Sequence, residues 1–420
     1  MKKRKCIRKS LAVGTLVLIL GVSIIPSSGG IAIEKPSSSN DRFSSPGNIL
    51  HVGGDGPSNY SSIQTAIDDA TDGDTVFVYS YSSPYYENLV VDKSINLVGE
   101  NKATTVIDGS SSGDVVFISA DSVAITSFTI QNSGKNVMEP DSGVHIFSNF
   151  NSISENVIKN NLEGIFLKAS SNNIISNNII SNNSEDGIFI FDWTYNHTIS
   201  SNIISNNKGE GIRSIGDFEN HHHNILGNTI EDNVGGGIYL VGSSCNLISG
   251  NVIKRNHLEG IWVAGWLSNT IITKNTISYN SWGIDVGSTV NNTFIFRNVI
   301  TVNYYGIWID RASYTNITGN NITYNVKIGL CLKGGSNNSI CLNNFANNRP
   351  HMFFCYDVSS NHNNILNQNY WDRPRLLPKP IFGIRELYIE IKWFYKWIPL
   401  PWIVFDLHPA REPYIVGDME

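Results

Sequence analysis

Four acidic residues each stand immediately before a recurring glycine: Glu163, Asp186, Glu210 and Glu259 precede Gly164, Gly187, Gly211 and Gly260. Carboxylates repeating at a fixed interval pile like charge on like charge once the chain coils, and such a stack asks for a cation. Arg213, two residues after Gly211, is the internal candidate. Carboxylates beside a guanidinium also have the makings of an acid/base centre, so Arg213, Glu210, Asp192 and Asp217 form the candidate catalytic set. The stretch Asp217-Phe218-Glu219-Asn220-His221-His222-His223 adds imidazoles. Asp217, Glu219, His221 and His223 are the candidate ligands of a divalent metal; in an extended segment His221 and His223 share a face. A third set follows the glycines by two residues: Phe166, Phe189, Arg213, Tyr239, Trp262, Asp285 and Trp308, with Trp193 and Trp266 six residues after theirs. Flat aromatic faces in register suit sugar rings, so Phe166, Phe189, Tyr239, Trp262, Trp308, Trp193 and Trp266 are the candidate carbohydrate contacts.

What positions these residues is a repeat. A Gly-Ile or Gly-Leu step recurs at Gly164, Gly187, Gly211, Gly237, Gly260, Gly283, Gly306 and Gly329, at intervals of 23, 24, 26, 23, 23, 23 and 23 residues. So strict a period means one supersecondary unit stacked many times. In the segment from Gly237 to Glu259, Ile238 and Leu240 share one face, and Asn246, Asn251 and Asn256 punctuate two further short apolar stretches around Ile248 and Ile253. No i, i+3, i+4 run leaves room for a helix, which argues three short strands per unit and an all-β, single-stranded parallel β-helix of about twelve coils. Asn suits the corners because it tolerates left-handed backbone and its amide can bond the equivalent Asn one coil away. A leucine-rich solenoid is excluded by the Ile/Val core. The coil from Gly211 is the longest, and its extra length falls on the acidic and histidine-rich stretch, which predicts a bulging corner.

Outside the repeat, Ser61-Ser62-Ile63-Gln64 reads as a capping box opening a helix with Ile63, Ala66, Ile67 and Ala70 on its apolar face. Such a helix would cover the first coil. Looser β segments follow at Thr75–Tyr79, Leu89–Val98, Thr105–Ile107, Val115–Ile118 and Val123–Ile130. The domain reading is residues 1–30 as an export signal, 31–48 as a Ser/Pro-rich linker, 49–370 as the β-helix and 371–420 as a capping module. The signal has a basic start, Lys2 to Lys9, and an apolar run from Leu11 to Ile25; left uncleaved, it would be the one membrane anchor. In the last module, prolines at 374, 378, 380, 399, 401, 409 and 413 predict broken strand pairing. The chain carries a net charge of −6 with scattered Lys and Arg, which excludes a nucleic-acid surface. Cys331 and Cys355 fall near equivalent places on neighbouring coils, a spacing compatible with one disulfide.

The stretches SSIQTAIDDATDGDTVFV, YYENLVVDKSINLVGE, TTVIDG and ITSFTIQNSG, together with the Gly-Ile and Asn-x-Ile coils, resemble exported right-handed parallel β-helix proteins common in archaea, of the NosD-like and pectate-lyase-like repeat families. The resemblance covers roughly residues 49–370. It implies a right-handed fold, a location outside the cytoplasm or at the cell surface, and a polysaccharide or cell-envelope glycan as partner. It also implies, for uronate lyases, calcium held by stacked carboxylates, and for NosD, copper. Ile307-Trp308-Ile309-Asp310-Arg311 resembles a pectate-lyase segment but carries Arg where His is expected. Mature-chain methionines are few and scattered, which counts against copper handling. Four readings therefore stand: a glycan-binding rod, a uronate lyase or hydrolase, a NosD-like copper-handling factor as the minority reading, and a passive surface or adhesion rod.

Overall fold

The computed structural model describes residues 47–265, 269–357, 363–391 and 394–415. The expected signal and most of the linker lie outside these residues, as does Trp266. The chain winds into a parallel β-solenoid of about thirteen turns, its strands forming two sheets of fourteen and one of thirteen. One sheet is built from the glycine-led strands, such as Glu163–Lys168, Ile188–Phe191 and Ile212–His221; we call it the glycine face. The second contains Ile174–Ser176 and the third Ile179–Ser181, with their counterparts on every coil. Among the described residues no helix is long and apolar enough to cross a membrane.

Isoleucine forms the core because each inward position meets its own equivalent above and below. Ile175, Ile199, Ile225, Ile248, Ile272, Ile295, Ile317 and Ile340 are in register on consecutive strands and wholly buried. Each such side chain contributes about 1.5–3 kcal/mol by leaving water, and β-branching suits the pleat.

The corners divide two jobs that the sequence suggests for a single Asn. The residue before each ladder Asn takes the left-handed conformation, as at Asn177 (φ 57°) and Ser201 (φ 57°). The next residue, Asn178 or Asn202, turns its amide inward. Asn202 Oδ1 accepts the Asn178 N–H at 2.9 Å, and the Asn202 amide NH₂ donates to Asn228 Oδ1 at 3.0 Å and to the Ile175 carbonyl at 2.8 Å. One such ladder runs unbroken from Asn156 to Asn369. It satisfies buried backbone donors that no strand pairs. Glycine leads the coil because of close approach rather than unusual φ: a Cβ on Gly187 would lie 2.5 Å from Ile204 Cγ2 and 2.6 Å from the Gly211 carbonyl oxygen.

Both ends are closed. Helix α1 (Ile63–Asp69) buries Ile63, Ala66, Ile67 and Ala70 over the first coil, the face expected of it. Its capping box is completed from afar: Ser62 Oγ accepts from Thr65 N, while Glu87 accepts from the Ile63 and Gln64 N–H groups at 2.9 Å each. At the other end, strands Lys379–Ile391 and Phe394–Asp406 form an antiparallel hairpin that pairs through Pro380, Pro399 and Pro401. This corrects the broken pairing expected from the prolines. Pro399 and Pro401, two residues apart, face the same way on a strand that ends its sheet, where among the described residues no further strand calls for an N–H donor. The hairpin also delivers Asp406, fully buried, to the end of the asparagine ladder. Its carboxylate accepts from Asn369 N at 2.9 Å, Trp371 Nε1 at 3.0 Å and Gln368 N at 3.2 Å.

Candidate functional site: the glycine face

Two outward rows run along the glycine face, one just before each glycine and one two residues after it. The first begins as a ladder of carboxylates. Glu163 Oε2 accepts the Asp186 N–H at 2.8 Å, Asp186 Oδ1 accepts the Glu210 N–H at 2.7 Å, and Glu210 Oε2 accepts the Gly236 N–H. Glu163 and Asp186 side chains are only 3% exposed. Arg213 relieves the stack: its Nε lies 2.5 Å from Asp186 Oδ2, its Nη2 3.9 Å from Glu163 Oε1, and its guanidinium 4.1 Å from the centre of the Phe189 ring. One guanidinium does not balance three acids. Burial therefore pushes the Glu163 carboxyl up, with the Asp186 charge adding to it, and pushes Asp186 up against the pull of Arg213. Glu210 is pushed up to about 7, first by burial, against the Gly236 N–H.

The second row is in register over its whole length: Phe117, His145, Phe166, Phe189, Arg213, Tyr239, Trp262, Asp285, Trp308 and Cys331. Its exposure is not uniform. Phe166 and Phe189 stack on one another at 5.3 Å and are buried, which differs from the open surface their outward register suggests. The chain at Val137–Pro140, outside the repeat, stands beside them. With Glu163, Phe191, Lys168 and Arg213 it encloses a half-open cavity of about 400 Å³. Tyr239, Trp262, Asp285 and Trp308 are half-buried and keep one side to solvent. Tyr239 meets Trp262 edge-on at 4.4 Å.

The remaining candidates scatter. Trp193 is exposed at the corner beyond Phe191, and Asp192 beside it has left-handed backbone; among the described residues no ion pair joins Asp192 to Arg213. Asp217 and Glu219 lie on strand Ile212–His221 where its register shifts between Ile215 and Asn220. His221 and His223 do not point together, which corrects the alternation expected of an extended segment. His222 is left-handed (φ 62°) and ends the strand, so His221 stays partly exposed, stacked on Tyr195 at 5.5 Å, while His223 turns inward and is fully buried. His223 and His197 occupy ladder positions: His197 Nδ1 accepts the Asn173 N–H at 3.2 Å, His223 Nδ1 accepts the His197 N–H at 3.4 Å, and the rings stack at 5.2 Å. Burial lowers His197 to about 3 and His223 well below its ordinary value.

Two features escaped the sequence reading although the period held their signal. Counting back one coil to Gly143 places His145 in the second row, where its Nδ1 is 2.8 Å from Asp114 Oδ2 and its ring is packed between Phe117 and Phe166. Counting forward, the first row changes from acid to aromatic: Glu259 is in register with Trp282 and Trp282 with Tyr305, these last two rings stacked at 5.6 Å.

A single-chain parallel coil of three sheets, with a polar ladder and glycine-led strands, is a parallel β-helix. The fold is that of the right-handed parallel β-helix repeat proteins. The family described as "Right handed beta helix region" matches residues 76–277, and that described as "Periplasmic copper-binding protein (NosD)" matches residues 216–376. Among solved structures the fold is similar to the A-modules of two Azotobacter vinelandii mannuronan C-5 epimerases. For AlgE6 the identity is 17% and the TM-score 0.59, covering 70% of this chain and 90% of that one. For AlgE4 the values are 18% and 0.58, covering 69% and 92%. At such identity the likeness shows the fold. No curated protein matches significantly.

The copper in the NosD description would need soft or imidazole ligands brought together. Among the described residues no three His, Cys, Asp or Glu are grouped to hold a metal. His197 and His223 spend Nδ1 inside the ladder. Cys331 and Cys355 are free thiols, so the conceivable bridge is not formed, and burial pushes them up to about 12 and 11, away from the thiolate copper prefers. These residues do not fit a copper centre.

Proposed function

We propose that this protein works outside the cytoplasm and binds a glycan along the glycine face. The observation that carries the reading is the half-open aromatic stretch formed by Trp262, Trp308, Trp282 and Tyr305 on neighbouring strands of one rigid sheet. Trp262 and Trp308 are two coils apart, a spacing of about 10 Å that is comparable with the repeat of a pyranose chain. Half-buried rings are held in place by their neighbours and still offer a face to the C–H side of a sugar, so little side-chain freedom is lost on binding. The basic and apolar start of the sequence supports the extracytoplasmic location.

The acid/base alternative has weaker support. Of the candidate set, Glu210 is engaged by the Gly236 N–H, Arg213 is committed to Glu163 and Asp186, and among the described residues no ion pair joins Asp192 to Arg213. That arrangement holds coils together. Glycan-array binding of the full chain, compared with Trp262→Ala/Trp308→Ala, tests the proposal: the variant should lose binding by tenfold or more while its far-UV circular dichroism is unchanged. Equal binding removes the aromatic track. Unsaturated product from polygalacturonate or alginate would instead make the protein a lyase.

A further inference from the structure

Asp285 is an acid without a cation. It sits in the second row between Trp262 on the preceding coil and Trp308 on the following one, and Trp282 lies on its own strand. The strand before contributes Glu259 and the strand after contributes Tyr305 and Asp310; Asp310 is satisfied by Lys333 at 3.5 Å and approached by Arg311 at 3.8 Å. Among the described residues no Lys, Arg or His forms an ion pair with Asp285. Burial, then the charges of Glu259 and Asp310, push its carboxyl up to about 7, with nothing opposing them. Burial raises Glu259 too.

We propose that the glycan recognised by the glycine face carries free amino groups, and that Asp285, flanked by Trp262 and Trp308, is the residue that selects them. The inference rests on the glycan-binding reading. Unneutralised carboxyls set among tryptophan faces offer an ammonium both partners it prefers: an anion, and aromatic rings whose negative faces attract a cation. A uronate brought to the same place would add a charge of the same sign as Asp285 and Glu259, in surroundings where such repulsion is poorly screened. An ammonium instead returns Asp285 to its ionised form.

The test is calorimetric titration of the full chain with glucosamine oligomers, their N-acetylated counterparts and oligogalacturonates of equal length. Amino oligomers should bind at least tenfold more tightly than either of the others. Asp285→Asn should erase that preference, lowering affinity for the amino oligomers by tenfold or more. Tighter binding of the uronate or N-acetylated series, or a preference untouched by Asp285→Asn, overturns the selection by Asp285 and leaves glycan binding standing. Absence of binding to all three, together with an empty glycan array, overturns both. Circular dichroism and hydrogen exchange of strand Trp282–Val286 confirm that the variant is folded; Asp285→Ser serves as the second variant should Asn perturb the strand.

Discussion

Replacing Arg213 with methionine keeps the bulk over Phe189 and removes the positive charge that two buried carboxylates share. At the 2.5 Å and 3.9 Å separations seen here, the guanidinium is the principal opposing charge for Asp186 and Glu163. Two unit charges about 4 Å apart interact by about 4 kcal/mol at an effective dielectric constant of about 20, and removing one member of a buried pair typically costs about 3–5 kcal/mol. The cost has a pH signature. Glu163, Asp186 and Glu210 all have folded-state values raised above the ordinary carboxylate range, so the stability they contribute is complete below about pH 4 and falls as pH rises through the folded values. Arg213 limits how high those values go. Wild type and Arg213→Met should therefore have nearly equal stability near about pH 5, where the acids are protonated in both. They should separate above about pH 7, by about 3–5 kcal/mol once wild type has ionised and the variant has not. Urea unfolding followed by far-UV circular dichroism at the two pH values reads this, and urea avoids the screening that guanidinium chloride would introduce. Adding Asp186→Asn and Glu163→Gln to the variant should recover most of the alkaline loss. A loss equal at both pH values would refute the electrostatic reasoning and assign Arg213 to packing on Phe189.

The imidazole rungs predict the opposite slope at the acid end: His197 and His223 are held neutral, so their contribution is complete above about pH 6.5 and is lost as pH falls towards the folded values. His197→Asn/His223→Asn should restore amide rungs and lower the acid-unfolding midpoint, with up to about 5 kcal/mol recovered from the His197 shift alone near about pH 3; an unchanged midpoint would show that the rungs do not titrate during unfolding. At the far end, Asp406→Ala orphans the Trp371 and Asn369 donors and should cost about 1–3 kcal/mol for each, read as faster proteolysis confined to residues after 365, whereas Asp406→Asn should stay near wild type. Equal protease resistance of the alanine variant would show that the hairpin is held without the plug.

Much of this molecule was legible in the chain because a solenoid turns sequence distance into spatial contact. With neighbours about 23 residues apart, the interval alone put Ile175 on Ile199, Phe189 beside Arg213 and Arg213 within reach of the acids before the glycines. The capping helix was legible for a different reason: its N-cap and apolar spacing are local.

What the period could not state was decided by contacts that do not repeat. Phe166 and Phe189 are buried while Trp262 and Trp308 stay half-open, because the irregular chain at Val137–Pro140 stands beside only the former pair. His223 left the expected metal face because one left-handed residue, His222, reverses the alternation of a strand. Asp406 finds the end of the ladder through a hairpin whose pairing ran through prolines. Register follows from spacing, which a single sequence carries. Exposure, charge compensation and the plugging of an open end depend on which distant and unrepeated segment arrives there, and only the tertiary structure decides that.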